Sequence, residues 1–383
     1  MHIQPFTVHV PDEILLDLQD RLARTRWPDE VEGGGWDYGF PLDKLRRLVD
    51  YWRSDFNWRS MELRINAFPN FLTDVDGMHL HFIHQRGQGP DPIPLLITHG
   101  WPSTFYEMLD LVDYLTDPAS NGGDPADAFD VVVPSVPGHG FSDRPEQAGF
   151  EDRQAAGLLV KLMEGLGYSR FASHAYDLGA SINGLMCLDY PGKIIGYHTT
   201  SPGNPSPHLE KDDPSITRAE RDYLTLKEQW SRKEYGYGHL LGSRPQTIAY
   251  ALNDSPAGLA AWILEKWQVW TGSQFALEDR FNRDDLLAQV TIYWVTQTIN
   301  SANRYYYEGR NTRWPGPGAR ALVPHGVALS ATQANERPPR EYVERLFPDI
   351  RQWIELPRGG HFVAMEEPGL LAGAIRSFFR LLR

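Results

Sequence analysis

The sequence predicts an α/β fold, a mostly parallel sheet flanked by helices and interrupted by a helical insertion. Three observations carry this expectation. Apolar runs of strand length at Ile93–Thr98, 131–136, Phe171–Ala175 and 194–200 alternate with helical patterns at 105–115 and 154–166, the spacing of parallel strands joined by crossover helices. The alternation stops over residues 206–311, which are rich in Trp and Tyr and carry no strand periodicity. Strand patterns then return at 321–330 and 351–356 before a final helix at 370–382.

In chain order, Pro11-Asp12-Glu13 opens a helix with Ile14, Leu15, Leu18 and Leu22 on one side. A second helix follows Pro41 and aligns Leu42, Leu45, Leu48, Val49 and Trp52. Gly33-Gly34-Gly35-Trp36 between them cannot be regular helix, and the aromatic stretch 52–58 reads as core packing. Asp76-Gly77 joins 71–75 to 78–84 as a hairpin. These elements divide the chain into an N-terminal segment wrapping the core (1–70), a first core part (71–205), a helical cap (206–311) and a second core part (312–383). A cap inserted there would lie over the carboxyl edge of the sheet, where ligands bind in such folds.

Composition narrows the function classes. The chain has 383 residues, 41% of them hydrophobic, a globular proportion once its 34 glycines are added. Fifty acidic residues against 37 basic ones give −13, which speaks against a nucleic-acid partner. No apolar run approaches the roughly 18–20 residues of a membrane helix, and the opening residues lack a secretion signal, so a cytoplasmic protein with no membrane partner is expected. The single cysteine, Cys187, excludes an intrachain disulfide and a Cys-based zinc cluster. Arginine outnumbers lysine 30 to 7, a hint of a GC-rich bacterial source.

Three motifs could carry chemistry. Ser173-His174-Ala175-Tyr176-Asp177-Leu178-Gly179-Ala180 follows a strand and opens a helix, with small residues two before and two after Asp177. That is the nucleophile-elbow pattern of α/β-hydrolases with Asp in place of Ser. Aspartate is also a good N-cap, so this segment alone leaves helix capping open. His99-Gly100-Trp101-Pro102 follows the strand whose loop supplies an oxyanion-hole N–H in that layout, which would make Trp101 and Leu178 the two donors. Arg358-Gly359-Gly360-His361-Phe362 puts a glycine-flanked His361 after the last strand, in the order nucleophile, acid, base. His174 reads as the end of a strand and His99 as loop structure.

With these motifs, and with Arg24-Thr25-Arg26-Trp27-Pro28, Pro137-Gly138-His139-Gly140-Phe141-Ser142 and the cap stretch 251–259, the chain resembles epoxide hydrolases of the microsomal type almost end to end. The membrane anchor of the animal members is missing, so it is most similar to their soluble bacterial relatives. The resemblance implies an α/β-hydrolase fold with a helical cap, a small-molecule epoxide as substrate and no cofactor. It implies that Asp177 attacks an epoxide carbon, that Tyr237 and Tyr306 hold the epoxide oxygen, and that His361 activates the water that hydrolyses the ester. Tyr235, Tyr305 and Tyr307 lie close enough in sequence to be mistaken for the pair.

The sequence departs from the family at two places. A gap-free alignment puts Ala334 where the acid behind His361 belongs, which leaves Glu336 as the candidate and surface charge as its alternative. Tyr176 and Leu178 flank the nucleophile where relatives often carry Gly and Trp. The missing orthodox acid keeps open a non-hydrolytic reaction on the same scaffold, such as carbon–carbon bond formation in natural-product biosynthesis. A haloalkane dehalogenase would share the Asp elbow without needing the tyrosines. The cap tryptophans Trp230, Trp262, Trp267, Trp270 and Trp294 suit a bulky or aromatic substrate or plain core packing. Oligomeric state, a homodimer included, stays open.

Overall fold

The computed structural model describes residues 1–209, 213–272, 276–331 and 337–383. Among them nine strands form one sheet: β1 (Ile3–Pro5), β2 (Asn70–Val75), β3 (Met78–Gln85), β4 (Ile93–Thr98), β5 (Phe129–Pro134), β6 (Phe171–Ala175), β7 (Ile194–Thr199), β8 (His325–Leu329) and β9 (Ile350–Glu355). The spatial order is β1-β2-β3-β5-β4-β6-β7-β8-β9. β1, β2 and β3 pair antiparallel, β3 pairs antiparallel with β5, and the remaining pairs are parallel. Asp76 (φ 55°) and Gly77 (φ 82°) turn the β2–β3 hairpin, the two left-handed positions that favour Asp-Gly. The central strands read as unbroken apolar runs because helices cover both faces of the sheet: Leu95, Leu96 and Ile97 of β4 and Val131, Val132 and Val133 of β5 are fully buried.

Boundaries shift where backbone donors find other partners. β5 starts at Phe129 and stops at Pro134, because Val136 N–H leaves the ladder and donates to His99 Nε2 at 3.1 Å. β8 starts only at His325: Pro324 has no N–H to give, and Ala321 N–H bonds Leu346 O instead. A helix at Trp58–Asn66 was not expected from the aromatic stretch before it. Asn57 starts it by accepting from Arg59 N–H, while Trp52 and Trp58 are buried as core, as their pattern implies.

Between β7 and β8 the chain is helical, from Arg218–Glu234 through Pro256–Thr271 and Arg283–Thr296 to Ile299–Glu308. The N-terminal helices tie this block to the core. Arg64 bonds Tyr106 Oη (2.9 Å) and Asp110 (2.7 Å) on the core side and Asp285 on the cap side, while Arg21 reaches Asp254 (2.6 Å) and Tyr51 reaches Asp284 (2.9 Å). Among the described residues no helix is long and apolar enough to cross a membrane.

Candidate active site

The carboxyl ends of β4, β6, β7 and β9 converge beneath the cap. β6 runs straight into the helix Asp177–Asp189, and Asp177 sits at the apex with φ 50°, a left-handed backbone that a non-glycine residue rarely adopts. The helix can approach this closely because Gly179 has no Cβ; one added there would lie 2.3 Å from Thr98 O. Gly100 is constrained in the same way, since a Cβ would sit 2.5 Å from Asp177 Cβ. Ser201, just past β7, accepts Asp177 N–H at 3.0 Å and pins the turn. The N-cap position of the helix is Tyr176 and the Asp177 side chain does not cap it. Its carboxylate turns outward: Oδ1 accepts Trp101 N–H at 2.8 Å, and Oδ2 lies 3.7 Å from His361 Nε2.

His361 is held by its surroundings on several sides. Its backbone N–H donates to Trp270 O (3.2 Å), and its ring packs against Trp270 (4.8 Å), Phe362 (4.8 Å) and Tyr176 (5.3 Å). From the cap, Tyr237 stacks flat on the Trp101 indole (5.3 Å, 4°) and Tyr306 meets it edge-on (5.3 Å, 80°). The Trp101 indole is itself fixed by Nε1 donation to Asn303 at 3.0 Å. Burial holds the Tyr306 phenol well above its ordinary pKa, with Tyr237 and Asp177 adding to the effect, so it stays protonated at neutral pH.

Asp177, His361, Tyr237, Tyr306, Trp101 and Leu178 all line one cavity of about 780 Å³. A cleft of about 920 Å³ near Arg144, Tyr250 and Arg304 contains none of them. Of the neighbouring tyrosines, Tyr235 and Tyr305 also line the site cavity, but the Tyr305 hydroxyl is spent on Pro137 O (3.0 Å), and Tyr307, outside the lining, packs under Arg310. Trp230 and Trp270 line the cavity, but Trp267 is stacked on Phe362 (3.9 Å) in the core. His174 pairs with His198 inside the sheet at 2.9 Å, and His99 serves its loop. Glu336 and Ala334 lie outside the described residues. Among the described residues no group of three or more His, Cys, Asp or Glu side chains is placed to hold a metal ion.

Sequence reasoning missed three buried carboxyls. Glu107 lies under the site: its Oε2 accepts the Tyr176 hydroxyl, which also meets Ser103 Oγ at 2.5 Å, and its Oε1 has no hydrogen-bond partner. Glu366 accepts Gly360 N–H at 2.9 Å. Burial raises both to about 7, and both interact electrostatically with His361. Asp152, on the cavity wall, is pushed up to about 8 by burial and by Glu151 and Asp177. The only signal for Glu107 was its setting, a lone acid amid Phe105, Tyr106, Met108 and Leu109.

Comparison with known proteins agrees with this fold. The family described as "Epoxide hydrolase N terminus" matches residues 3–108, and that described as "alpha/beta hydrolase fold" matches 93–239. A chain from Stigmatella aurantiaca, provisionally named an epoxide hydrolase, is 38% identical over 381 residues, covering 100% of this chain and 86% of its own. Epoxide hydrolase 1 of Sus scrofa is 34% identical, covering 99% and 89%. Among solved structures, the juvenile hormone epoxide hydrolase of Bombyx mori superposes with a TM-score of 0.85 at 26% identity, covering 100% of this chain and 94% of its own. The chain, with its capped α/β-hydrolase fold, belongs to the epoxide hydrolase family.

Proposed function

We propose that the chain opens an epoxide to a vicinal diol through an ester on Asp177. The observation that carries this reading is the convergence on one carboxylate of Trp101 N–H at 2.8 Å and His361 Nε2 at 3.7 Å, in a cavity roofed by Tyr237 and Tyr306. Asp177 Oδ2 attacks an epoxide carbon, the C–O bond breaks, and the oxygen leaves as an alkoxide. Tyr237 and Tyr306 hydrogen-bond that oxygen and protonate it, a role that needs phenols still carrying their protons. A separation of 3.7 Å is too long for a good direct hydrogen bond, so His361 Nε2 can take a proton from water attacking the ester. Trp101 N–H, and with it Leu178 N–H, stabilises the tetrahedral oxyanion, each worth about 3 kcal/mol in comparable sites. Glu336 is assigned as the acid orienting His361. The cavity walls, with Trp101, Trp230, Trp270 and Trp314, favour a bulky or aromatic epoxide.

A single turnover in oxygen-18 water tests the mechanism. The diol should carry unlabelled oxygen from Asp177 and the label should remain on Asp177, whereas Asp177→Asn should give no diol. Label appearing in the diol in the first turnover would mean direct attack by water and would overturn the ester.

A further inference from the structure

We infer that the substrate carries an anionic group, a carboxylate or its equivalent, and that Lys227 receives it. This inference rests on the cavity being the epoxide site. Lys227, Tyr223, Trp230 and Ser231 share one face of the helix Arg218–Glu234, and all four line that cavity. The ammonium donates to Ser206 Oγ at 3.3 Å and lies 5.7 Å from the Tyr223 ring centroid. Ser206 spends its own proton on Gly203 O (2.9 Å), so it offers Lys227 a lone pair and no charge. An ammonium has three N–H donors, and this contact uses one.

No carboxylate among the described residues pairs with Lys227, whereas Arg218 pairs with Asp222, Arg232 with Glu228, Lys233 with Glu234, Lys266 with Glu265 and Arg283 with Glu278. Of the two other cap-helix arginines, Arg221 is exposed and Arg304 spends a donor on Pro145 O. The acids lining the cavity are Asp177 and Asp152 alone among the described residues. Burial lowers the Lys227 pKa, the signature of a cation that lacks a counter-charge. A bound anion would supply one.

The helix also sets a distance. Eight residues separate Lys227 from Tyr235, which packs on Tyr237 at 5.2 Å, and at about 1.5 Å per residue that is a rise of roughly 12 Å between their Cα positions, which sets the scale of the span from the ammonium to the tyrosines. An extended chain covers about 1.2 Å per bond, so the anion should lie about ten bonds from the epoxide.

The test uses terminal epoxides bearing a carboxylate at the far end, with spacers of about five, ten and fifteen bonds, each paired with its neutral primary amide. For each protein the kcat/KM of the carboxylate is divided by that of the amide. The expected wild-type ratio is about 10 to 100 at the ten-bond spacer and smaller at the others. Lys227→Gln should bring the ratio close to one, and Lys227→Arg should keep most of it. A wild-type ratio near one, or a ratio that Lys227→Gln leaves in place, overturns the inference. Calorimetric binding of the matching saturated carboxylate and amide, which have no epoxide, separates the two readings. Carboxylate binding that depends on Lys227 without turnover would sink the epoxide reading and keep the anion site; turnover without charge preference would do the reverse.

Discussion

A single methyl group at Gly100 should cripple the reaction without unfolding the protein. The Cβ of Gly100→Ala would lie 2.5 Å from Asp177 Cβ, 2.8 Å from Oδ1 and 3.0 Å from Cγ, where ordinary contact begins at 3.4 Å. Asp177 must then retreat by about 1 Å, and the 2.8 Å bond from Trp101 N–H to Oδ1 is the contact it retreats from. A misplacement of about 1 Å in a reacting group costs about a hundredfold in rate, or about 2.7 kcal/mol of barrier. The packing penalty should fall in the usual range of about 1–3 kcal/mol, leaving a folded protein with a lowered Tm. The assay is rapid-quench measurement of ester formation under single-turnover conditions, with Gly373→Ala as reference because a Cβ there meets nothing within 4 Å. If Gly100→Ala forms the ester within about threefold of wild type, Asp177 is not the reacting group in this geometry and the reasoning fails.

Tyr237→Phe and Tyr306→Phe should each slow ester formation, by up to about 10²–10⁴ in the double variant, while hydrolysis of a preformed ester changes little; three wild-type rates would remove both from the mechanism. Glu336→Gln should let the ester accumulate, because the carboxylate acts through His361 in the water step; an unchanged ester lifetime would make Glu336 surface charge. Asp152→Asn tests the buried acid by its pH dependence. An acid whose folded pKa is raised keeps its proton in the folded state after the unfolded chain has lost it, so its contribution to stability declines as pH rises from about 4 to about 8. The Tm of Asp152→Asn relative to wild type should therefore be more favourable at about pH 9 than at about pH 5, and a constant difference would show that Asp152 is not held protonated.

The parts of the site that could be read from sequence were those fixed by local backbone constraints. Asp177 needs an elbow, the elbow needs Gly179 against Thr98 O, and Trp101 needs Gly100, so small residues at fixed offsets announce the functional ones. The fold was legible for a similar reason: strands buried on both faces are apolar without a break, and the helical insertion interrupts their rhythm. Glu107, Glu366 and Asp152 left no such mark. What distinguishes them is burial near His361 or Asp177, which depends on how the chain packs in three dimensions and not on any local residue pattern. The shortened β8 and the displaced end of β5 were hidden too, because both follow from where one N–H goes in three dimensions.

The charge pairs from the N-terminal helices to the cap bear on how molecules reach the site. Arg64 spans Asp110 and Asp285, and Arg21 holds Asp254, so swinging the cap away from the sheet would break several ion pairs at once. Exposed Arg310 and half-exposed Trp314 are where the cavity lining meets solvent, and passage beside them would leave these pairs intact. Exit of the diol, which is more strongly hydrated than the epoxide that entered, then becomes a filter in its own right. The residues at that rim, remote from any bond that breaks, are the ones on which turnover of large substrates should depend.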